Sequence, residues 1–375
     1  MAELFLATNS DFREVTDFIN MVFDKNFPEF MEKVYTEENF MRAEHYCIRD
    51  EGRLAACVAV YPQTIRCGDE SIECAWIGSV SVSPDKRGMG YMKQLMAHVN
   101  QVLVDRGIPF AYLSGRRNRY GFYGYEITGM RNYFTFEEEN IRLTIGFDAC
   151  NEYEFDPLYQ EDKEDLESVM KLYEKRLFMV RTAEDMVPGM KTWEYRPYVV
   201  KKKGEFQVYI LIKGDEIAEI ELVNFENVLN VCGAVMLCFG IENLKIEART
   251  WEIEKCRILA EKCERYHIET LGNMKIFDFK KTLGYFMETE RKIRNIKPGK
   301  LIVEVTGEDT FSIEVTEKTV KTDIIDSEKA DISVTPSQLI RLCFTRGGDF
   351  ITGFDSELVK NWFPLSYTPE RVDEF

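Results

Sequence analysis

The segment that most constrains this fold is an alternating run that stops at a proline and continues as a helix after two glycines. Residues 76–83 alternate between two sets of side chains with the two-residue period of a strand. Pro84 ends that strand because proline lacks a backbone N–H. Apolar residues then recur at helical spacing, at Met92, Leu95, Met96, Val99 and Leu103. The run therefore predicts a strand, a glycine turn and a helix in direct succession.

The glycine turn of this run has the composition of an anion site. Gly88 and Gly90 let a phosphate approach the backbone closely, and the first amides of the following helix have no partner within it. Arg87 adds a positive charge at the same place. The spacing matches neither a P-loop nor a GxGxxG dinucleotide turn. A pyrophosphate cradle is thus predicted, although a glycine turn before a helix can also be purely structural.

The whole run resembles motif A of the GNAT N-acetyltransferases, V-x-V-x-P-x-x-R-G-x-G-x-G. The strand, Pro84, Arg87 and both inner glycines match, and Met92 replaces the last small residue. The enhanced intracellular survival (Eis-type) branch of the family has a bulky aliphatic residue at this position, so the run resembles that branch. The resemblance implies acetyl-CoA as co-substrate, with its pantetheine arm and pyrophosphate bound by two sets of residues: Val80, Ser81 and Val82 for the arm, and Arg87, Gly88, Met89, Gly90, Tyr91, Met92 and Lys93 for the pyrophosphate.

A second motif follows about 30 residues later. Tyr120-Gly121 and Gly124-Tyr125 look like the Y-G-x-F-G-Y loop of the same family, with Tyr123 where the family has phenylalanine. The resemblance implies that Tyr120 is the general acid that protonates the leaving thiolate. The alternative is an aromatic-rich loop that only packs on the core.

The order of predicted elements indicates an α+β protein in three segments. The Eis-type resemblance implies tandem GNAT-like domains, catalytic at 1–149 and degenerate at 150–273, followed by a sterol-carrier-like α+β domain at 274–375. The middle segment lacks a glycine-rich turn between its last predicted strand and helix. Its predicted elements are strands at Gln207–Lys213, Glu216–Asn224 and Val231–Cys238, and helices at Lys163–Leu177 and Trp251–Tyr266.

Composition excludes several classes of function. The formal charge of −17, from 48 basic and 65 acidic residues, disfavours nucleic acid and favours a cationic partner, or else serves solubility alone. Three histidines and no CxxC pair argue against a metal site. No apolar stretch is long enough for a membrane span, and the start of the chain has no signal-peptide pattern. Ten cysteines without a disulfide framework favour a reducing, cytoplasmic setting.

The resemblance also implies the reaction. An Eis-type enzyme moves the acetyl group to a primary amine of a cationic small molecule, aminoglycoside- or polyamine-like, in a homo-oligomer that is a trimer or hexamer. The family uses the terminal carboxylate of a phenylalanine as a base, and this chain ends in Phe375. Two alternatives stay open at this point. One is a protein or peptide lysine acetyltransferase, and the other is a non-catalytic module that binds coenzyme A or an apolar ligand.

Overall fold

The computed structural model describes residues 2–174, 177–326, 329–354, 356–367, 369 and 371–374, with Ala149 described by its backbone alone. The chain divides into two compact units. The first contains 1–129, 270–367 and 374–375, and the second contains 130–269 and 368–373. The three domains expected from the sequence stay a prediction beside this division.

The described residues form nineteen strands and thirteen α-helices. The strands are β1 (Glu3–Leu6), β2 (Glu44–Asp50), β3 (Arg53–Cys67), β4 (Glu70–Val82), β5 (Phe110–Leu113), β6 (Glu126–Ile127), β7 (Met130–Glu137), β8 (Tyr153–Pro157), β9 (Phe178–Met179), β10 (Arg196–Lys202), β11 (Glu205–Lys213), β12 (Glu216–Leu222), β13 (Asn243–Arg249), β14 (Arg265–Thr270), β15 (Asn273–Ile276), β16 (Gly299–Val305), β17 (Thr310–Val315), β18 (Val320–Ile324) and β19 (Ile332–Val334). The helices are α1 (Phe12–Phe23), α2 (Phe27–Phe30), α3 (Tyr91–Asp105), α4 (Arg117–Tyr120), α5 (Glu138–Thr144), α6 (Lys163–Tyr173), α7 (Met186–Met190), α8 (Val228–Phe239), α9 (Ile253–Lys262), α10 (Phe279–Ile293), α11 (Pro336–Phe344), α12 (Gly348–Thr352) and α13 (Glu357–Trp362).

The first unit is built on a mixed sheet with the strand order β1-β2-β3-β4-β5-β15-β6. All neighbouring strands run antiparallel except β4 and β5, which are parallel and are joined by α3. This helix buries Leu95, Met96, Val99 and Leu103 against the sheet, as the helical spacing predicts. The strand–turn–helix succession predicted from residues 76–103 is therefore confirmed.

Strand β15 joins this sheet from far along the chain. It pairs antiparallel with β5 on one side and with β6 on the other. The sequence predicts that a third domain starts at this stretch. In the structure the same residues form a strand of the sheet that the first segment builds. A separate sheet of the first unit has the order β18-β17-β16-β19, with β16 and β19 parallel.

The second unit contains a sheet with the order β14-β7-β13-β12-β11-β10-β8. Strands β12 and β13 of this sheet are parallel, and α8 connects the two. The first unit has the same succession of antiparallel hairpin, helix and parallel strand at β3, β4, α3 and β5. In the second unit, however, the turn before the helix is Asn224–Asn227 and contains no glycine.

The predicted strand at Val231–Cys238 is wrong, because these residues lie inside α8. A continuous apolar run does not distinguish a buried strand from a helix that is buried on most sides. The helix packs so closely on its neighbours that a Cβ at Gly233 would lie 2.6 Å from Cys150 Sγ and 2.8 Å from Ile141 Cγ2. Close packing around most of the helix therefore explains why its sequence shows no polar face.

The predicted helix at Trp251–Tyr266 is also partly wrong. Helix α9 ends at Lys262, and the chain continues as strand β14. The charged residues of this stretch fit an exposed helix and an exposed strand equally well, so the pattern does not place the boundary. The remaining predicted strands of the middle segment are confirmed within a few residues as β11 and β12.

Candidate active site

The end of β4 provides a strand edge with no neighbouring strand. β4 pairs with β5 only at Ala75 and Trp76, and β5 ends at Leu113. Beyond that point, among the described residues, Ser81 and Val82 pair only with β3 on the other side, opposite Cys57 and Ala56. Backbone amide and carbonyl groups on the β5 side are thus available to an extended ligand that adds to the sheet.

The glycine turn follows directly and presents free amides. Gly88 and Gly90 have φ of +85° and +83°, and no atom lies within 4 Å of a Cβ built on either one. Helix α3 has no side-chain cap, and its first hydrogen bond runs from the Gln94 amide to the Gly90 carbonyl at 3.0 Å. The amides of Tyr91, Met92 and Lys93 therefore point out of the helix end, where the helix dipole favours an anion, whereas the Met89 amide donates to the Lys86 carbonyl at 3.4 Å. Arg87, Met89 and Lys93 are exposed around them.

An ion pair beneath the turn holds it to the sheet. Lys86 Nζ lies 2.9 Å from Asp50 Oδ2 and 2.7 Å from Glu51 Oε2, and the Tyr91 hydroxyl donates to Asp50 Oδ2 at 2.9 Å. Hydrogen bonds from Lys86 and then Tyr91 lower the pKa of Asp50. Tyr91 is therefore a buried anchor of the turn by its side chain, and Asp50 belongs to the site although no sequence motif marked it.

Tyr120 is the last residue of α4 and belongs to the same buried cluster as Leu113, the last residue of β5. Its ring is 6% exposed, and a Cβ at Gly115 would lie 2.4 Å from its Cε2 atom. Only glycine therefore lets the chain turn this close to the ring. Burial raises the pKa of Tyr120, and Arg119 opposes that rise. The phenol stays protonated at neutral pH, as a proton donor requires.

Glu374, the last described residue, is bonded to the first unit beside the end of β5. Ser114 Oγ donates to Glu374 Oε2 at 2.9 Å, and Lys33 Nζ lies 3.4 Å from the Glu374 carbonyl oxygen. Ser114 directly follows β5 and precedes the glycine that receives the Tyr120 ring. Phe375, the predicted base, lies outside the described residues.

A cavity of about 970 Å³ lies along α3. Lys93, in the first turn of α3, lines it, and Phe122 and Tyr123 line it from the loop after α4. Lys275 closes one side, where its ammonium donates to the Tyr123 carbonyl oxygen at 2.8 Å. The cavity therefore lies between α3 and the loop that follows Tyr120 in the first unit.

The described residues contain no group of three or more histidine, cysteine, aspartate or glutamate side chains that could hold a metal ion. None of the helices in the described part of the chain is long and apolar enough to cross a membrane.

Comparison with known proteins assigns the class of the first segment. Residues 4–128 match the family model of the acetyltransferase (GNAT) domain. This range covers the free edge of β4, the glycine turn and Tyr120. The chain thus carries a GNAT acetyltransferase domain, and the protein is an acetyltransferase. No curated protein matches its sequence.

Solved structures share the fold over the full length of the chain. A GCN5-related N-acetyltransferase from Anabaena variabilis has a TM-score of 0.72 at 16% identity, with all of both chains covered. Eis1 from Mycobacterium abscessus has a TM-score of 0.68 at 14% identity, again with full coverage of both. A probable N-acyltransferase from Enterococcus faecalis has a TM-score of 0.67 at 14% identity, covering 91% of this chain and 89% of its own. At these identities the likeness concerns the fold.

Proposed function

We propose that this protein is an acetyl-CoA-dependent N-acetyltransferase that acts on a primary amine of a cationic small molecule. The observation that carries the proposal is the continuity of an unpaired strand edge with a helix end that presents free amides. A pantetheine arm needs the first and a pyrophosphate needs the second. Both belong to the segment that matches the GNAT domain.

Acetyl-CoA would lie along Val80–Val82 with its pyrophosphate over Arg87–Lys93. The open space at Gly88 and Gly90 supports this placement, because nothing in the described protein occupies the position of either absent side chain. The nucleotide end would then enter the cavity along α3, where Lys93 and Lys275 supply positive charge.

Acyl transfer requires two proton movements at the reacting atoms. The amine nitrogen attacks the thioester carbonyl, the C–N bond forms, and the C–S bond breaks. Tyr120 would give its phenolic proton to the departing sulfur. The terminal carboxylate of Phe375 would take the proton that the amine loses, directly or through a water. Glu374 supports that role, because its side chain is held at Ser114, at the end of β5.

The cationic acceptor is inferred from charge. A protein of net charge −17 attracts polyamines over long range and raises their rate of encounter. Lysine side chains of proteins share this chemistry, so the acceptor has to be assigned by turnover.

The test is acetyl-CoA turnover, followed by coenzyme A release, across matched panels of polyamines, aminoglycosides and lysine peptides. We expect kcat/KM for the small polycations to exceed that for the peptides. Higher kcat/KM on peptides would instead make the protein a lysine acetyltransferase. Binding of coenzyme A without release from acetyl-CoA on any amine would indicate a binding module.

The role of Phe375 is tested by moving the carboxylate. One glycine appended after Phe375 keeps the ring and displaces the charge by about 3.5 Å. We expect kcat to fall about 100-fold, within the range for a lost general base, while the melting temperature changes little. Wild-type turnover by the extended protein would assign proton removal to another group, with the Glu374 carboxylate as the next candidate.

We also infer that the middle segment is a degenerate copy of the catalytic domain and that the last segment is sterol-carrier-like. The repeated succession of hairpin, helix and parallel strand supports the first inference. The asparagine turn before α8 supports the loss of phosphate binding, because the Asn224 side chain already accepts the Glu226 amide. Coenzyme binding at that turn would contradict the assignment.

A further inference from the structure

Three buried hydroxyl groups meet behind the unpaired end of β4. Tyr35 lies in the segment after α2, Tyr61 in β3 and Ser79 in β4, with exposures of 0%, 1% and 7%. The Tyr35 and Tyr61 hydroxyl oxygens are 2.8 Å apart, and Tyr61 lies 3.2 Å from Ser79 Oγ. A hydrogen bond between Tyr35 and Ser79 closes the set. We call these three groups the hydroxyl ring.

Ser79 has a backbone conformation that its side chain disfavours. Its φ is +50°, in the left-handed region that L-residues other than glycine, asparagine and aspartate seldom adopt. The register of β3 and β4 shifts at the same point, from Cys57 opposite Ser81 to Ala59 opposite Gly78. Ser79 and Val80 together thus face Val58 alone, which is a β-bulge. A bulge re-aims the strand, and here the redirected part is the unpaired edge.

The hydroxyl ring is suited to holding this bulge. Burial raises the pKa of both Tyr35 and Tyr61, so the phenols stay protonated and each can donate one hydrogen bond. The Tyr35 ring is itself fixed by edge contacts, with centroids 5.2 Å from Phe27 and 5.6 Å from His45. Rigid aromatic side chains therefore fix the serine hydroxyl, and the hydroxyl limits the backbone angles that Ser79 can take.

We propose that Tyr35 and Tyr61 are positioning residues, which act through Ser79 to keep the bulged backbone of β4 aimed at the thioester. This inference rests on the proposed function, because it needs acetyl-CoA to lie along Val80–Val82. The hydroxyl ring does not contact the substrate. It sets the direction of the backbone groups that hold the acetyl end, whereas the glycine turn holds the pyrophosphate. Loss of the ring should therefore lower kcat and leave acetyl-CoA affinity nearly unchanged.

Two substitutions of Ser79 separate the hydroxyl group from the backbone angle. Ser79→Ala removes the hydroxyl and keeps a side chain that disfavours φ of +50°. Ser79→Gly also removes the hydroxyl, but glycine adopts this angle freely. We expect kcat to fall about 10- to 100-fold in Ser79→Ala, the scale of a displaced reacting group, and to stay within about threefold of wild type in Ser79→Gly. Tyr35→Phe should lower kcat about 10-fold in the otherwise wild-type protein and should have little effect in the Ser79→Gly variant, which has no serine hydroxyl for Tyr35 to hold.

A matched control removes a buried tyrosine hydroxyl from the second unit. Tyr173 donates to the Met179 carbonyl oxygen at 2.6 Å, so Tyr173→Phe should lower the melting temperature without changing kcat. Acetyl-CoA affinity is measured by calorimetry for every variant, beside kcat and melting temperature. If Tyr35→Phe does not fold, the two Ser79 variants still decide the question.

The results distinguish refutation of the positioning role of the hydroxyl ring from refutation of the proposed function. Equal kcat losses in Ser79→Ala and Ser79→Gly, or wild-type kcat in Tyr35→Phe, would overturn the positioning role while acetyl transfer stands. A wild-type protein that neither binds acetyl-CoA nor releases coenzyme A would overturn the proposed function and the positioning role with it.

Discussion

Replacing Gly90 by alanine should weaken acetyl-CoA binding far more than it weakens the fold. With φ at +83°, an L-residue at this position costs about 1–2 kcal/mol of backbone strain. No atom lies within 4 Å of the added methyl, so the fold bears no clash in addition. At about 2–4 °C per kcal/mol for a unit of this size, the melting temperature should fall by about 2–8 °C.

The binding loss follows from the same geometry. The methyl group enters the open side of the turn, where the pyrophosphate has to approach the amides. Losing one charge-assisted hydrogen bond costs about 1.5–3 kcal/mol, which corresponds to an increase in Kd of about 10- to 150-fold. Titration calorimetry with acetyl-CoA measures this loss directly, and thermal denaturation measures the strain.

Gly68→Ala is the matched control for this prediction. Gly68 lies in the β3–β4 turn, also has a positive φ of +58°, and has no atom within 4 Å of its Cβ position. Its alanine variant should lose melting temperature and keep wild-type acetyl-CoA affinity. The reasoning is refuted if Gly90→Ala binds acetyl-CoA as wild type does, or if Gly68→Ala loses as much affinity.

Three further perturbations test other parts of the molecule. Tyr120→Phe should lower kcat about 10²- to 10⁴-fold with acetyl-CoA affinity unchanged, and a variant within about twofold of wild type would assign the ring to packing alone. Asp50→Asn should lower the melting temperature at neutral pH, and because the pKa of Asp50 is lowered in the folded state, the difference from wild type should vanish as pH falls below 3.8, its ordinary value, and through the lower folded pKa. A difference that persists in acid would mean that Lys86 does not stabilise the fold through this carboxylate. In the second unit, Arg181→Met removes a buried guanidinium that bonds two buried carboxylates, and should destabilise by about 3–5 kcal/mol in denaturant unfolding. A loss below about 1 kcal/mol would contradict that estimate.

Local patterns predicted the parts of the site that are contiguous in the chain. Pro84, two glycines and an apolar stripe at helical spacing predict the strand, turn and helix, because each signal acts within a few residues of the element it determines. The GNAT match over residues 4–128 agrees with the resemblance drawn from that run. The role of Tyr120 came from the resemblance to a family motif and stays a prediction.

Long-range contacts could not be predicted from the sequence. Ser114 donates a hydrogen bond to Glu374, which lies 260 positions later in the chain. Asp50, whose carboxylate accepts a hydrogen bond from Lys86, lies 36 positions before that lysine. The strand β15 enters the first sheet, although its sequence alone indicates the start of a later segment. Strand pairing and hydrogen bonds between distant segments depend on which surfaces meet in the fold. The periodicity of the sequence reports local structure and does not predict these contacts.

The identity of α8 and the hydroxyl ring were decided by packing. Val231–Cys238 became a helix because burial on most sides removes the polar face that would reveal its period. Tyr35, Tyr61 and Ser79 each look ordinary in the sequence, and only the bulge in β4 brings their hydroxyls together. The sequence alone therefore determined the conformation of the glycine turn, through backbone preferences acting over a few residues. The tertiary structure decided which distant side chains hold that turn and the strand before it, because burial and hydrogen bonding are satisfied between segments.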